Sequence, residues 1–296
     1  MELLQLQYFQ TVARLEHMTK AAQELHIAQP ALSKTIARLE QDLGVPLFDR
    51  QSRQIRLNHF GRAFLKKVNL ALNVLEEGRK EVADLAGTER GSIHLATNNL
   101  GRITSAISAY RTEHPEVNFR ILQTPPASME ELVNLLENGE VDLCFTAASI
   151  DHPDIREQPV LDAEVFLAVP PGHPLERRSS IRLEEVAAEP FIEYKTGHPF
   201  RKINASFCRE AGISPNIVCE VDEPSALGSL VQAGLGVAFM PACRKDETPP
   251  YKMLRLETPV CRRVFRIAWL ERRYLPKAAR SFGRFLAEYY AELQAP

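Results

Sequence analysis

The sequence predicts a helical head with a small β wing, then a long connecting helix, then an α/β domain. Three observations carry that prediction. Residues 19–43 hold two short helical patterns separated by a three-residue turn. From Asn58 to about Leu85, small and apolar residues return at steps of three and four. Beyond Ser92, short β-branched runs alternate with amphipathic helical stretches, the pattern of a domain built on parallel strands.

The first helix covers 3–14 and turns Leu6, Phe9, Val12 and Ala13 inward. Thr19 is placed as the N-cap of a second, short helix over 20–25. His26, Ile27 and Ala28 make the turn. A third helix opens at Gln29 or Pro30, where the missing proline N–H costs nothing. Leu32, Ile36, Leu39 and Leu43 form its buried face, and Gln29, Ser33, Lys34 and Arg38 the opposite one. That is the layout of a DNA-reading helix-turn-helix, although a hairpin with a merely solvated polar face has the same periodicity. Gly44 stops the helix and Pro46 blocks its continuation. Leu47 and Phe48 then anchor an extended wing that carries Arg50 and Arg53, beside phosphates or a minor groove, to Leu57.

The long helix is expected over 58–85, capped by Asn58. Its seam runs Gly61, Phe64, Val68, Ala71, Leu75, Gly78, Val82 and Leu85, and a helix without a local partner favours dimerisation. Packing on its own domain is the competing reading. A hinge is expected at 87–91. Strands follow at 93–97, 117–122, 141–145, 166–169, 217–221, 237–240 and 262–270. Helices are expected at 102–114, 129–138, 200–211, 224–233 and 278–293.

The head also matches a known pattern. Phe9, Ala21, Ala22, Leu25, the run Ala28, Gln29, Pro30, Ala31, Leu32, Ser33, then Ile36, Leu39, Glu40, Leu43, Gly44, Leu47, Phe48, Asp49, Arg50, Arg53, Leu57 and Gly61 resemble the N-terminal signature of LysR-type transcriptional regulators. Two positions depart from it: His17 and Met18 replace a usual Gly-Ser pair, and Asn58 replaces a usual Thr. Further on, the stretches 137–143, 169–175 and 231–238 with Pro241 resemble the same family.

The resemblance implies a winged helix-turn-helix DNA-binding domain over 1–58, a linker and dimerisation helix over 59–87, and an effector-binding domain over 88–296. That last domain resembles periplasmic binding proteins, with subdomain one at about 91–161 plus 268–296 and subdomain two at about 162–267. Expected DNA contacts are Thr19, Lys20, Ala28, Gln29, Pro30, Ser33, Lys34, Arg38, Arg50 and Arg53. Phe64, Val68, Ala71, Leu75 and Val82 are the expected dimer contacts. Implied partners are promoter DNA, a small-molecule effector, and the chain itself as a dimer and commonly a tetramer. RNA polymerase is a further candidate, and neither a membrane nor a cofactor is expected.

Composition agrees. In 296 residues with 45% apolar content there is material for two or three cores. The net charge is −2, yet up to Lys67 ten cations face six acids, so a mildly basic head precedes an acidic remainder. Five cysteines are scattered, with no C-x-x-C and no zinc spacing. No run approaches eighteen apolar residues, so a cytoplasmic protein with reduced thiols is expected. G-x-S-x-G, H-E-x-x-H and a Walker A loop are missing, and an enzyme is not expected.

Effector contacts are expected where strands run into helices. The first junction is Thr97, Asn98, Asn99 and Leu100, suited to a small anion, although an Asn there also serves as a plain helix cap. The second is the stretch from Gln123 to Ser128, opposite Thr146 and Ala147. The third is Thr196, His198 and Phe200. Two other readings remain open at this point: a redox switch between Cys208 and Cys219, and a solute-binding module without a DNA role.

Overall fold

The structure, a computed structural model, describes residues 1–51, 54–87, 91–124, 129–242 and 249–294. Arg53, Ser128, residues 88–90 of the expected hinge and the side chain of Arg50 lie outside the described residues. The chain divides into two compact units, Met1–Thr88 with Glu137–Glu140, and Glu89–Leu136 with Val141–Pro296.

The head comprises α1 (Leu3–Leu15), α2 (Met18–Glu24), α3 (Gln29–Leu43), the hairpin β1 (Phe48–Gln51) and β2 (Gln54–Leu57), and α4 (His59–Leu85). Phe9, Val12, Ala21, Leu32, Ile36 and Leu39 meet in one core, as the spacing of apolar residues requires. The cap of α2 differs from expectation. His17 is the N-cap: its Nδ1 accepts the Lys20 N–H at 3.3 Å. Thr19 lies inside the first turn, because a neutral imidazole nitrogen serves the cap as an oxygen would.

Three side chains lock the wing to the helices. Glu40 accepts the N–H of Leu47 at 2.8 Å and of Phe48 at 3.3 Å. Glu16 accepts the Leu57 N–H at 2.8 Å. Asn58 caps α4 by accepting the Gly61 N–H at 2.9 Å, and its Nδ2 donates to the Pro46 carbonyl at 2.8 Å. Gly61 is more than a gap in a seam. A Cβ there would stand 2.2 Å from the Leu47 carbonyl oxygen, so the wing approaches α4 as closely as only glycine allows.

The expected dimer seam is used in two ways. Val68 is buried in the head's own core, and half-buried Phe64 packs there with its ring 5.4 Å from Phe9. The competing reading wins for these two, because the neighbouring helices supply apolar partners at that level. Ala71, Leu75 and Val82 are exposed, as are Val74 and Leu85.

The second unit is α/β. Its strands are β3 (Ser92–Thr97), β4 (Asn118–Gln123), β5 (Leu143–Thr146), β6 (Ile155–Val169), β7 (Ser180–Ile181), β8 (Pro190–Tyr194), β9 (Asn216–Val221), β10 (Ala238–Pro241), β11 (Lys252–Leu256) and β12 (Arg262–Leu270). Its helices are α5 (Leu100–Glu113), α6 (Met129–Asn138), α7 (Pro199–Glu210), α8 (Pro224–Gln232) and α9 (Lys277–Gln294). The main sheet runs β4-β3-β5-β12-β6-β11-β7, with β10 also on β6, and β8 pairs with β9.

The sheet is mixed rather than parallel. β3 lies parallel to β4 and β5, but β12 is antiparallel to β5 and β6. The expected strand at 166–169 is only the end of the 15-residue β6. Pro159 and three acids, Glu157, Asp162 and Glu164, interrupt its hydrophobic signal. Along the β6–β12 ladder the register shifts between Phe265, opposite Leu161, and Arg266, opposite Pro159. Proline has no N–H for a ladder and is tolerated at such a bulge. Arg266 and Ile267 already pair with Thr146 and Phe145 of β5.

Gly61→Ala should lower the stability of the head by about 1–3 kcal/mol, since the new methyl must displace backbone. Chemical denaturation followed by circular dichroism measures this, and an unchanged midpoint would contradict the close approach.

Candidate functional site

The first candidate surface is the outer face of α3. Ala28, Gln29, Pro30, Lys34 and Arg38 are exposed, and Ser33 is half-buried. Residues four apart stand above one another on a helix, so Gln29 lies over Ser33 and Pro30 over Lys34. Gln29 Nε2 donates to Ser33 Oγ at 2.8 Å. This orients the amide and leaves its carbonyl and second N–H outward, the pair of groups that suits an adenine edge. Thr19 and Lys20 are exposed on α2. The opposite face of α3 is locked in the core, so the polar face is presented without freedom to roll.

The second is a cavity of about 1150 Å³ in the α/β unit. One wall is the start of α5 with Asn98, Asn99, Leu100 and Arg102, together with Gln123 and Thr124 after β4. The facing wall holds Tyr194, Thr196, His198 and Phe200 around the start of α7, Asp222 to Pro224 before α8, and Arg263 and Phe265 on β12.

Of the expected effector contacts, Asn98, Asn99, Leu100, Thr196, His198 and Phe200 line this cavity, and Thr97 and Thr146 do not. Both threonines are fully buried and spent on backbone. Thr97 Oγ1 donates to the Phe145 carbonyl and accepts the Asn99 N–H, each at 2.9 Å. Thr146 Oγ1 accepts the Ala148 N–H at 3.2 Å. A strand-end hydroxyl facing the sheet satisfies its neighbours before it meets a ligand. Asn99 holds the N-cap position of α5 without a side-chain cap bond.

His198 caps α7: its Nδ1 accepts the Phe200 N–H at 3.0 Å. The proton of the neutral ring therefore sits on Nε2, which is buried and has no partner. Burial, reinforced by the Arg263 charge and opposed by Asp222, pushes the imidazole down to about 4. The ring stacks on Tyr194 at 4.1 Å.

Gln123 and Thr124 of the second expected junction also line the cavity, whereas Arg263 and Tyr194 were not among the expected contacts. Arg263 is 1% exposed, lies 4.2 Å over the Phe200 ring, and gives an Nη2 hydrogen bond to Asn204 Oδ1 at 2.7 Å. Asn204 in turn donates to the buried Glu193 carboxylate at 2.8 Å. Burial raises the Glu193 carboxyl and lowers Arg263 from their ordinary values. A signal for Arg263 was present in the sequence. Strand alternation puts it on the same face as Phe265 and Ile267, which makes it a cation at a core position.

The alternative reading, a switch between Cys208 and Cys219, gains no support from the packing. Cys208 belongs to one hydrophobic cluster and Cys219 packs against another. Burial lifts the Cys208 thiol to about 11 and Cys261 to about 12, which suppresses thiolate.

Because folding holds His198 near 4 against 6.5 when free, the unfolded chain takes up a proton in that interval that the folded chain refuses. This contribution to stability is complete above pH 6.5 and is lost as pH falls towards 4. His198→Asn keeps an acceptor for the Phe200 N–H and removes the titration. Its melting temperature should therefore fall less steeply over this range than that of the unchanged protein, and parallel curves would refute the assignment.

Residues 3–62 match the bacterial regulatory helix-turn-helix domain of the lysR family, and residues 86–291 match the LysR substrate binding domain. The Bacillus subtilis HTH-type transcriptional regulator YybE is 37% identical over 295 residues, covering 99% of this chain and 100% of that one. The transcriptional dual regulator GltC of the same organism is 30% identical over 300 residues, covering 99% of each chain. Full-length CbnR in complex with its target DNA superposes with a TM-score of 0.75 at 23% identity, covering 97% of this chain and 99% of that one. The effector-binding domain of QuiR in complex with shikimate gives 0.60 at 25% identity, covering 68% and 98%. The two family models take in the helix-turn-helix head and the α/β unit in turn, YybE and GltC match along nearly the whole chain, and the chain belongs to the LysR family of DNA-binding transcriptional regulators with an effector-binding domain.

Proposed function

We propose that the chain binds promoter DNA as a homo-oligomer through α3, and that a small anionic molecule in the cleft sets the arrangement of the bound protein. The observation that carries this reading is the fixed polar face of α3, with Gln29 and Ser33 hydrogen-bonded side by side. Gln29 and Ser33 stand nearest the base edges in the major groove, flanked by Pro30 and Lys34. Ala28 lets the backbone approach. Thr19, Lys20 and Arg38 meet phosphates, as do Arg50 and Arg53 from the wing. The complexes of CbnR with DNA and of QuiR with shikimate support the same division of labour.

Self-association runs through the exposed apolar residues of α4, namely Val74, Leu75, Val82 and Leu85. Two recognition helices then face half-sites about 34–36 Å apart. Ligand that favours one arrangement of the two cleft walls shifts the oligomer between two states, and so shifts the bend or spacing of the DNA presented to RNA polymerase. The protein acts in the cytoplasm by binding rather than by catalysis. Among the described residues, no helix is long and apolar enough to cross a membrane.

Gln29→Ala should cost about 1–3 kcal/mol at the cognate operator and much less on random DNA, whereas Lys34→Ala should weaken both. Gel shifts across a salt series separate the two effects, and equal losses for both variants would contradict the assignment. Leu75→Lys with Val82→Lys should lower the mass seen by analytical ultracentrifugation and weaken operator binding more than tenfold. An unchanged mass would remove α4 from the interface.

A further inference from the structure

Three buried polar atoms in the α/β unit lack a hydrogen-bond partner and line the same cavity: Thr124 Oγ1, His198 Nε2 and Arg263 Nε. They come from three separate elements, the end of β4, the start of α7 and the middle of β12. An unmet buried polar group is costly, and three aimed into one space mark where a ligand completes the structure.

Their chemistry is one-sided. Arg263 Nε is a donor. His198 Nε2 carries the ring proton, because Nδ1 is occupied in accepting the Phe200 N–H. The Thr124 hydroxyl has a proton to give. The missing partner is therefore rich in acceptors.

Charge narrows the class further. Asn204 stands between the two buried ions, accepting from Arg263 at 2.7 Å and donating to Glu193 at 2.8 Å. Among the described residues the Arg263 guanidinium forms no ion pair: it hydrogen-bonds the Tyr194 side chain and Asn204, and Glu193 acts on it only across Asn204. At the exposed mouth, by contrast, Lys195 and Asp222 already pair at 3.4 Å. Burial pushes Glu193 towards its neutral form, so the charge left at depth is positive, which disfavours amines and metal cations. The flat face of Phe200 lies against it, with Phe265 set at a steep angle to that ring, and a planar acid fits there better than a tetrahedral phosphate.

We propose that the ligand of the cleft is a small organic carboxylate whose acid group pairs with Arg263, with His198 and Thr124 as neutral donors to the same ligand. This rests on the reading of the cleft as the effector site, and it moves the anchoring charge from the start of α5 to β12. The body of the ligand then extends past Leu100, Met240 and Pro241.

The test uses the full chain. Acetate, benzoate and shikimate are each titrated against the matching primary amide, with inorganic phosphate and benzylamine as comparators. Binding is read by thermal shift and calorimetry, at the millimolar levels that few-atom fragments require. At least one acid should raise the melting temperature and bind tenfold or more tightly than its amide. Arg263→Gln should remove that preference, and a circular dichroism spectrum matching that of the unchanged protein shows that the variant is folded. Arg263→Lys should restore part of the preference, and Thr124→Val should weaken the acid severalfold.

Equal binding of acid and amide, an acid preference intact in Arg263→Gln, stabilisation only by phosphate or benzylamine, or silence of all three acids would each overturn the proposal. Leu100→Trp, which fills the cavity, separates the two readings. If it abolishes binding that Arg263→Gln leaves intact, the cleft stands and the carboxylate anchor falls. If it leaves binding intact as well, the cleft itself falls.

Discussion

The α/β unit depends on two antiparallel strands, β6 and β12, that run through both of its halves. Each half contributes its own helices and outer strands, but the hydrogen-bond ladder between these two is shared. Its register shifts between Phe265, opposite Leu161, and Arg266, opposite Pro159. Phe265 borders that bulge and Arg263 lies two residues before it on the same strand, and both line the cavity. The deepest side chains of the cleft are thus mounted on the ladder that the rest of the unit is built around.

Around Arg263 the electrostatics are left incomplete by the packing. A buried arginine normally has a carboxylate against it, because an isolated charge in low dielectric is strongly disfavoured. Here an asparagine separates Arg263 from Glu193. Part of the cation's field is left for whatever enters the cleft. His198 stays neutral beside it chiefly because it is buried, and further because a second positive charge in that space is repelled.

The head solves a different problem, that of presenting short side chains rigidly. Three acceptor side chains, from Glu16, Glu40 and Asn58, take up backbone N–H groups of the wing and of the start of α4. These bonds tie α1 and α3 to the wing, so the outward face of α3 is fixed by buried contacts on every other side. Much of this was legible beforehand. The four-three-four recurrence of Leu32, Ile36, Leu39 and Leu43 gave the orientation of α3, and Asn58 announced the start of α4. The structural use of Glu16 and Glu40 was not legible. A glutamate that accepts backbone N–H groups across a turn looks in sequence like any solvated acid.

What the sequence by itself determined was local and periodic: the register of α3, its stop at Gly44, the alternation of strands and helices beyond Ser92, and the junctions that hold Asn98, Asn99, Thr196 and His198. These follow from rotations of about 100° and 180° per residue and from the chemistry of helix ends, which need no knowledge of distant contacts. Only the tertiary structure decided which hydroxyls are spent on backbone, as in Thr97 and Thr146, and which stay open, as in Thr124. It alone joined Arg263 to a cavity whose other wall lies more than a hundred residues earlier. It also showed that Phe64 and Val68 serve the head's own core while Leu75 and Val82 remain exposed. Burial and hydrogen-bond satisfaction are properties of the neighbours a residue acquires on folding, and no spacing along the chain encodes them.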